Sequence, residues 1–266
     1  MSSNAKQTLK VFTYFLMVAS AVGCASAARH GMPLSSAMLY DSIKTFVDSS
    51  GARTVVLVPM RHVGKPAHYQ KVGDYLDTLK SHGYVTFCEG LLPSDKSTDT
   101  LDIPLCRDIR DLYYPVDSMK MDTLSRKLRK ILGVDPAYLY DNIAARWHSV
   151  KQDESFLHLY GDRDYWVDGT YADMIKEFEM YFGEIELSPY DFECPLGSDK
   201  YKGKEDKRWK LRANANTYCN VRLVRCILES GFEKIAVVYG YSHIHRLYWF
   251  VLPKNGYIPV ENPYYQ

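Results

Sequence analysis

The chain has 266 residues and a net charge of +1, and 46% of its residues are hydrophobic. The length suits a single globular domain, and the hydrophobic fraction is ordinary for a protein with a packed core. A charge so close to zero excludes the strong positive field with which most nucleic-acid-binding proteins attract their partners. We therefore expect no nucleic-acid partner.

The first 24 residues have the pattern of a bacterial export signal. Lys6 and Lys10 form a weakly basic start, and an apolar stretch follows from Val11 to Val22. This stretch is shorter than the ~20 apolar residues of a transmembrane helix, and small residues follow it, which favours cleavage. The sequence Ala21-Val22-Gly23-Cys24 resembles a lipobox, in which Cys24 is lipidated and becomes the first mature residue. Ala25-Ser26-Ala27 offers an alternative site for an ordinary signal peptidase.

The N-terminal pattern predicts an exported protein that a lipid on Cys24 holds to a membrane of the bacterial cell envelope. Residues 1–23 are then the signal, and residues 24–53 are a tether with a first helix. The range 54–266 is predicted to form one domain. An uncleaved N-terminal helix is the alternative.

Four short apolar runs, bounded by turn residues, predict buried β-strands. They are apolar throughout rather than alternating, which is typical of parallel strands covered on both faces. A helical pattern from His68 to His82 ends at Gly83 after the first run, and another from Asn214 to Ser230 ends at Gly231 before the fourth. We therefore expect an α/β fold with a mainly parallel central sheet flanked by helices. The four runs are Thr54–Val58, Tyr84–Cys88, Phe156–Tyr160 and Ile235–Tyr239.

Two further segments differ from this pattern. Residues from about 101 to 151 are rich in charge, with apolar residues at helical spacing, and predict a helical insertion outside the sheet. Residues 191–210 contain Pro195, Gly197 and Gly203 and predict a surface loop.

The cysteines do not define a disulfide framework. Export permits disulfides, but five cysteines remain beyond Cys24, and no two have the C-x-x-C spacing of a zinc or redox site. Cys219 and Cys226 lie two turns apart on a predicted helix, ~10 Å along its axis, which is too far for a bond between them. Disulfide pairing therefore stays open. The five are Cys88, Cys106, Cys194, Cys219 and Cys226.

Polar side chains follow each of the four predicted strands. Because ligands bind beyond the carboxyl ends of parallel strands, we expect these side chains to converge on one pocket. Imidazole and carboxylate groups bind zinc, manganese or non-haem iron, and an Asp–Arg pair can orient such ligands. The alternative is a hydrogen-bonded polar cluster that closes the sheet edge. In strand order the candidates are His62 and His68, Glu89, Asp162 and Arg163, and His243, His245 and Arg246.

In this order the elements resemble a superfamily that joins TraB and GumN proteins, TIKI metalloproteases and ChaN-type haem-binding lipoproteins. That superfamily has G-x-x-H after its first strand, Glu after the second, G-D-R, an Arg-Asn pair opening a helix, and a final G-x-x-H. The resemblance extends from about Thr54 to Tyr257, although Pro59 stands where the family has glycine. The matching residues are Pro59-Met60-Arg61-His62, Glu89, Gly161-Asp162-Arg163, Arg212 with Asn214 or Asn216, and Gly240-Tyr241-Ser242-His243.

The resemblance to TIKI proteins implies a metal-dependent hydrolase that acts on peptide or amide bonds. His62, Glu89 and His243 would then hold or surround a divalent ion that activates water, with Glu89, Asp162 and Arg163 as catalytic residues. The expected partner is a peptide or small molecule.

The resemblance to ChaN proteins implies instead a haem- or iron-binding lipoprotein without catalytic activity. Pro66-Ala67-His68 resembles the His-rich stretch of that branch, and His68, His245 and Arg246 would contact the ligand. The lipobox and the 22 tyrosines favour this function, whereas Glu89 and Asp162-Arg163 favour the hydrolase.

Overall fold

The structure is a computed structural model. It describes residues 43–60, 63–97, 118–133, 135, 150–151, 157–159, 161–198, 200–201, 208–262 and 264. For residues 118, 150–151 and 208–216 it describes the backbone alone. The predicted signal and tether up to residue 42, including Cys24, and much of the predicted insertion lie outside these ranges.

A six-stranded mixed sheet forms the centre of the described residues. Its order is β6-β4-β7-β2-β1-β8, and β6, β4, β7 and β2 run parallel to one another. β1 is antiparallel to both β2 and β8, and β3 and β5 pair separately. The strands are β1 (Lys44–Asp48), β2 (Thr54–Met60), β3 (Val63–Gly64), β4 (Val85–Cys88), β5 (Val150–Lys151), β6 (Asp164–Trp166), β7 (Lys234–Gly240) and β8 (Tyr257–Val260).

Helices cover both faces of the sheet, which confirms the predicted α/β fold. The sheet is mixed because β1 reverses direction. β1 lies within residues 24–53, so this part of the predicted tether is a strand of the central sheet. Among the described residues, no helix is long and apolar enough to span a membrane. The helices are α1 (Pro66–Ser81), α2 (Ser118–Leu132), α3 (Tyr171–Phe182), α4 (Pro189–Glu193), α5 (Arg208–Glu229), α6 (Tyr241–Arg246), a π-helical turn (Leu247–Val251) and α7 (Leu252–Lys254).

The continuous apolar runs are explained by two cores, one on each face of the sheet. In β2, Val56 and Val58 pack into the core that α1 covers. Val55 and Leu57 point the other way, into the core that α5 and α6 cover. Successive side chains of a strand point to opposite faces, so both sets of side chains in a strand covered twice are mainly apolar.

A third cluster of buried residues lies away from the sheet and joins α2 to α3. Leu128 and Ile131 of α2 pack on Met174, Ile175 and Phe178 of α3. α2 lies in the segment where a helical insertion was predicted.

The predicted strand Phe156–Tyr160 is wrong. Leu157 and His158 form a turn, and His158 has a φ of 54°, a left-handed conformation far from the dihedral angles of a regular β-strand. Leu157 and Leu159 are nevertheless buried in the core under α1, which accounts for the apolar pattern. The parallel strand is β6, which starts at Asp164.

Candidate functional site

Three parallel strands bring polar groups to the carboxyl edge of the sheet. Cys88, the last residue of β4, pairs with Trp166 on one side and Val238 on the other. Glu89 therefore leaves β4 beside Gly240, where β7 ends and α6 begins. On the other side, Asp168 follows β6 by two residues.

Glu89 and His243 face each other at this edge. Nε2 of His243 lies 3.5 Å from Oε1 of Glu89, and the two side chains are only 7% and 16% exposed. The other carboxylate oxygen, Oε2, accepts a 2.5 Å hydrogen bond from the backbone N–H of Gly240. The approach is close, because a Cβ at position 240 would lie 3.1 Å from that oxygen and would displace the Glu89 carboxylate slightly.

Asn220 on α5 sets the orientation of the His243 ring. Its Oδ1 lies 3.0 Å from Nδ1 of His243. An amide oxygen can only accept, so Nδ1 carries a proton and, in a neutral ring, Nε2 presents its lone pair to Glu89. A neutral ring and the carboxylate are two facing acceptors that require a cation between them, whereas a protonated ring forms an ion pair with the carboxylate directly. Tyr239 fixes the ring further with an edge-to-face contact at 5.7 Å between centroids.

Asp168 forms a second layer behind this pair. It is 2% exposed, and its two oxygens accept hydrogen bonds of 2.9 Å from the Tyr239 hydroxyl and the Gly90 N–H. Burial and then the charge of Glu89 raise the pKa of Asp168 to about 6, against the opposing effects of His243 and the hydrogen bonds. Because both oxygens are engaged, Asp168 supports the site rather than offering a free ligand atom.

Cys219 on α5 hydrogen-bonds the same carboxylate. Burial, followed by the negative charges of Asp168 and Glu89, raises the pKa of this thiol well above its usual value. The thiolate is the nucleophilic form of cysteine, so a raised pKa makes Cys219 a poor nucleophile at neutral pH.

The structure does not bring Asp162 and Arg163 to this edge. Both precede β6, so they lie at its amino end, where the Arg163 carbonyl accepts a 2.7 Å hydrogen bond from Thr86 N–H. They are separated from Glu89 by the length of β4, roughly 13 Å. Their predicted convergence with Glu89 and His243 is wrong, because the strand lies after the G-D-R sequence and not before it.

His68, His245 and Arg246 do not share a surface. His68 is buried in the first turn of α1, which packs on one face of the sheet. His245 is exposed on α6, which packs on the opposite face through Ile244 and Leu247. Burial lowers the pKa of Arg246, which is half-buried beside it. The structure therefore does not assemble the ligand set implied for haem.

Other predicted residues lie outside what the structure describes. His62 is one of them. Met60, two residues before it in the sequence, ends β2 directly beside Gly240. Arg212, Asn214 and Asn216 lie on α5, in the part whose side chains are not described.

Two residues at the site, Asn220 and Asp168, were missed by the sequence analysis. Asn220 lies one helical turn beyond Asn216, so the spacing of four along α5 could have indicated it. Asp168 was overlooked because the third strand was misplaced. The apolar run before Asp168 and the turn residue Gly169 after it are the signal that locates β6.

Across the described ranges, no group of three or more His, Cys, Asp or Glu residues could hold a metal ion. Glu89 and His243 supply two donor atoms, and the predicted third ligand, His62, is not among the described residues. Comparisons of the chain with protein-family models, with curated proteins and with solved structures found no match.

Proposed function

We propose that the chain is an exported, lipid-anchored metal-dependent hydrolase that cleaves peptide or amide bonds, with Glu89 and His243 as two ligands of a divalent ion. The observation that carries this proposal is the separation of 3.5 Å between Oε1 of Glu89 and Nε2 of His243.

The spacing suits an ion better than a hydrogen bond. Charge-assisted N–H···O bonds are shorter, ~2.7–2.9 Å. Two ligand atoms at ~2.0–2.2 Å from a tetrahedral ion lie ~3.4 Å apart, which is close to the observed separation. The proton on Nδ1 leaves Nε2 as the donor atom, and a hydrogen bond from the second ring nitrogen is typical of histidines that bind metals.

The chain's own residues have distinct roles in the proposed site. The Gly240 N–H holds one oxygen of Glu89, so the other oxygen stays directed at His243. Asn220 holds the ring of His243 in one tautomer. His62 remains the predicted third ligand, from its position just beyond β2. When bound, a divalent ion would supply a water molecule of lowered pKa and polarise the substrate carbonyl.

The proposal includes fewer catalytic residues than the three that the resemblance implied. Glu89 keeps its predicted role, because it lies at the site. Asp162 and Arg163 lie at the opposite end of β6, so they have no part in this proposal.

Metal content tests the proposal, and an exposed histidine on α6 provides a matched control variant. Reconstitution with Zn²⁺ or Mn²⁺, followed by dialysis and elemental analysis, should give one ion per wild-type chain. His243→Ala should lose the ion and any hydrolysis of a peptide library. His245→Ala, an exposed histidine two residues away, should retain both. Equal metal content in the two variants, or none in the wild type, would contradict the proposal.

The same preparation tests the alternative, a haem-binding lipoprotein. Titration with haemin would give a Soret band and a defined stoichiometry if that function were correct. The hydrolase proposal predicts no saturable haem binding, and no described contact favours haem.

A further inference from the structure

The outer face of the helical segment from Tyr241 to Lys254 is aromatic. Its inner face buries Ile244, Leu247 and Leu252 in the core. On the outer face, Tyr241, Trp249 and Phe250 are 50%, 58% and 49% exposed. A helix on the surface of a globular protein normally carries polar residues there. We name this surface the aromatic ridge and define it as Tyr241, His245, Trp249 and Phe250.

Contacts between rings hold the aromatic ridge in place. The centroid distances are 6.1 Å from Tyr241 to His245 and 6.3 Å from His245 to Trp249. Trp249 packs at 4.7 Å on Tyr248, which in turn packs at 5.6 Å on the buried ring of Phe46. The exposed rings are therefore anchored to the core and need little ordering to bind a partner.

The segment that carries the aromatic ridge has basic side chains and no acidic ones. The 20 residues from Tyr241 to Val260 contain no Asp or Glu, whereas they include Arg246 and Lys254. A helical face with aromatic rings, cations and no acidic side chain of its own is complementary to anionic lipid headgroups.

A second pair of exposed aromatic side chains is followed in the sequence by acidic residues. At the end of α3, Tyr181 and Phe182 are 58% and 49% exposed, the same fractions as Trp249 and Phe250. The exposed carboxylates Glu184, Glu186 and Glu193 follow them in the sequence. An anionic bilayer would repel these carboxylates, so this pair suits an anionic lipid surface less well than the aromatic ridge does.

We propose that the aromatic ridge docks on the headgroup region of an anionic lipid bilayer. Tyr and Trp rings favour this region because one part of each ring is apolar and another forms hydrogen bonds. The contact is made by the folded domain, so it requires neither a lipid on Cys24 nor a metal ion. It goes beyond the hydrolase proposal and does not depend on it.

Vesicle sedimentation tests the proposal with a matched pair of double variants. The full chain is used with Cys24→Ala, so that no lipid is attached, and any contribution of the apolar leader is the same in all samples. On vesicles with about a third phosphatidylglycerol, Trp249→Ser/Phe250→Ser should reduce partitioning about tenfold. Tyr181→Ser/Phe182→Ser should leave it unchanged. Pure phosphatidylcholine should bind the parent protein less.

Quenching by brominated lipids identifies the ring that touches the bilayer. Bound protein should show quenched tryptophan emission, and Trp249→Phe should remove the quenchable part. Trp166→Phe, at a buried position, should retain it. Equal partitioning of the two double variants, or emission from Trp249 that brominated lipids do not quench, would overturn the proposal. A third result would also overturn it: the parent protein is a dimer in solution, and Trp249→Ser/Phe250→Ser makes it a monomer without changing vesicle binding.

Discussion

The contact between Asn220 and His243 is the residue-scale feature with the clearest consequence. Asn220→Ala removes the acceptor 3.0 Å from Nδ1 and leaves the ring free to turn or change tautomer. We expect the affinity for Zn²⁺ to fall about 10- to 100-fold, as it does when a hydrogen-bond partner of a metal-binding histidine is lost. Competition with a chromophoric chelator measures the affinity, and Asn220→Asp, which retains an acceptor, should restore most of it. Equal affinities in wild type and Asn220→Ala would show that the contact is only structural.

The buried carboxyl of Asp168 should make stability depend on pH. Its pKa is about 6 in the folded protein against an ordinary value of 3.8, so the folded state binds the proton more tightly than the unfolded chain. The stabilisation from that proton is complete below pH 4 and is lost as the pH rises through 6. It amounts to about 3 kcal/mol at most.

Asp168→Asn isolates this effect because an amide cannot ionise. In metal-free protein, the unfolding free energy of the wild type should fall relative to the variant between pH 4 and pH 7. Urea titrations across this range measure the difference. A difference that does not change with pH would contradict the raised pKa.

At the scale of elements, Gly169 lies in the turn between β6 and α3, where this turn packs against α5. It has a φ of 79°, and a Cβ there would lie 2.7 Å from Cζ of Arg222, a buried side chain that donates to the Val167 carbonyl at 2.9 Å. Gly197 has nearly the same φ, 77°, with no atom within 4 Å of its Cβ position. Gly197→Ala should therefore lose about 1–2 kcal/mol from the left-handed backbone alone.

Gly169→Ala should lose about 1–3 kcal/mol more than Gly197→Ala, because the buried guanidinium must move. Thermal and urea unfolding of both variants give the comparison. If the two variants are equally stable, Arg222 is not packed tightly against this turn.

The elements that the sequence predicted best are those covered on both faces. β2, β4 and β7 have residues in two cores, so their apolar runs are continuous and easy to recognise. The third strand was misplaced because the turn at Leu157–Leu159 is also buried, while β6 has only three residues. A short strand and a buried turn look alike in a pattern of apolar residues.

The misplaced third strand also explains which residues of the site the sequence predicted and which it did not. Glu89 and His243 follow correctly placed strands, and the structure brings them together. Asp162 and Arg163 follow a strand that does not exist, so their predicted position was wrong. Asn220 could not be derived from strand ends, because it reaches His243 from a helix whose rotation depends on packing.

At the scale of the whole molecule, the predicted lipid anchor is open to a direct test. Expression in bacteria with labelled palmitate should label the wild-type chain, and Cys24→Ala should abolish the label. The variant should remain uncut or be cut after Ala27, where small residues offer the second site. Undiminished labelling of Cys24→Ala would contradict the lipobox prediction.

The central claim is that Glu89 and His243 hold a divalent ion at the carboxyl edge of the sheet. Anomalous scattering from crystals grown with Zn²⁺, recorded on both sides of the zinc absorption edge, tests it most directly. The proposal predicts one peak about 2.0–2.2 Å from both Oε1 of Glu89 and Nε2 of His243. A map without a peak between these atoms, in crystals that hold zinc elsewhere or not at all, would contradict it.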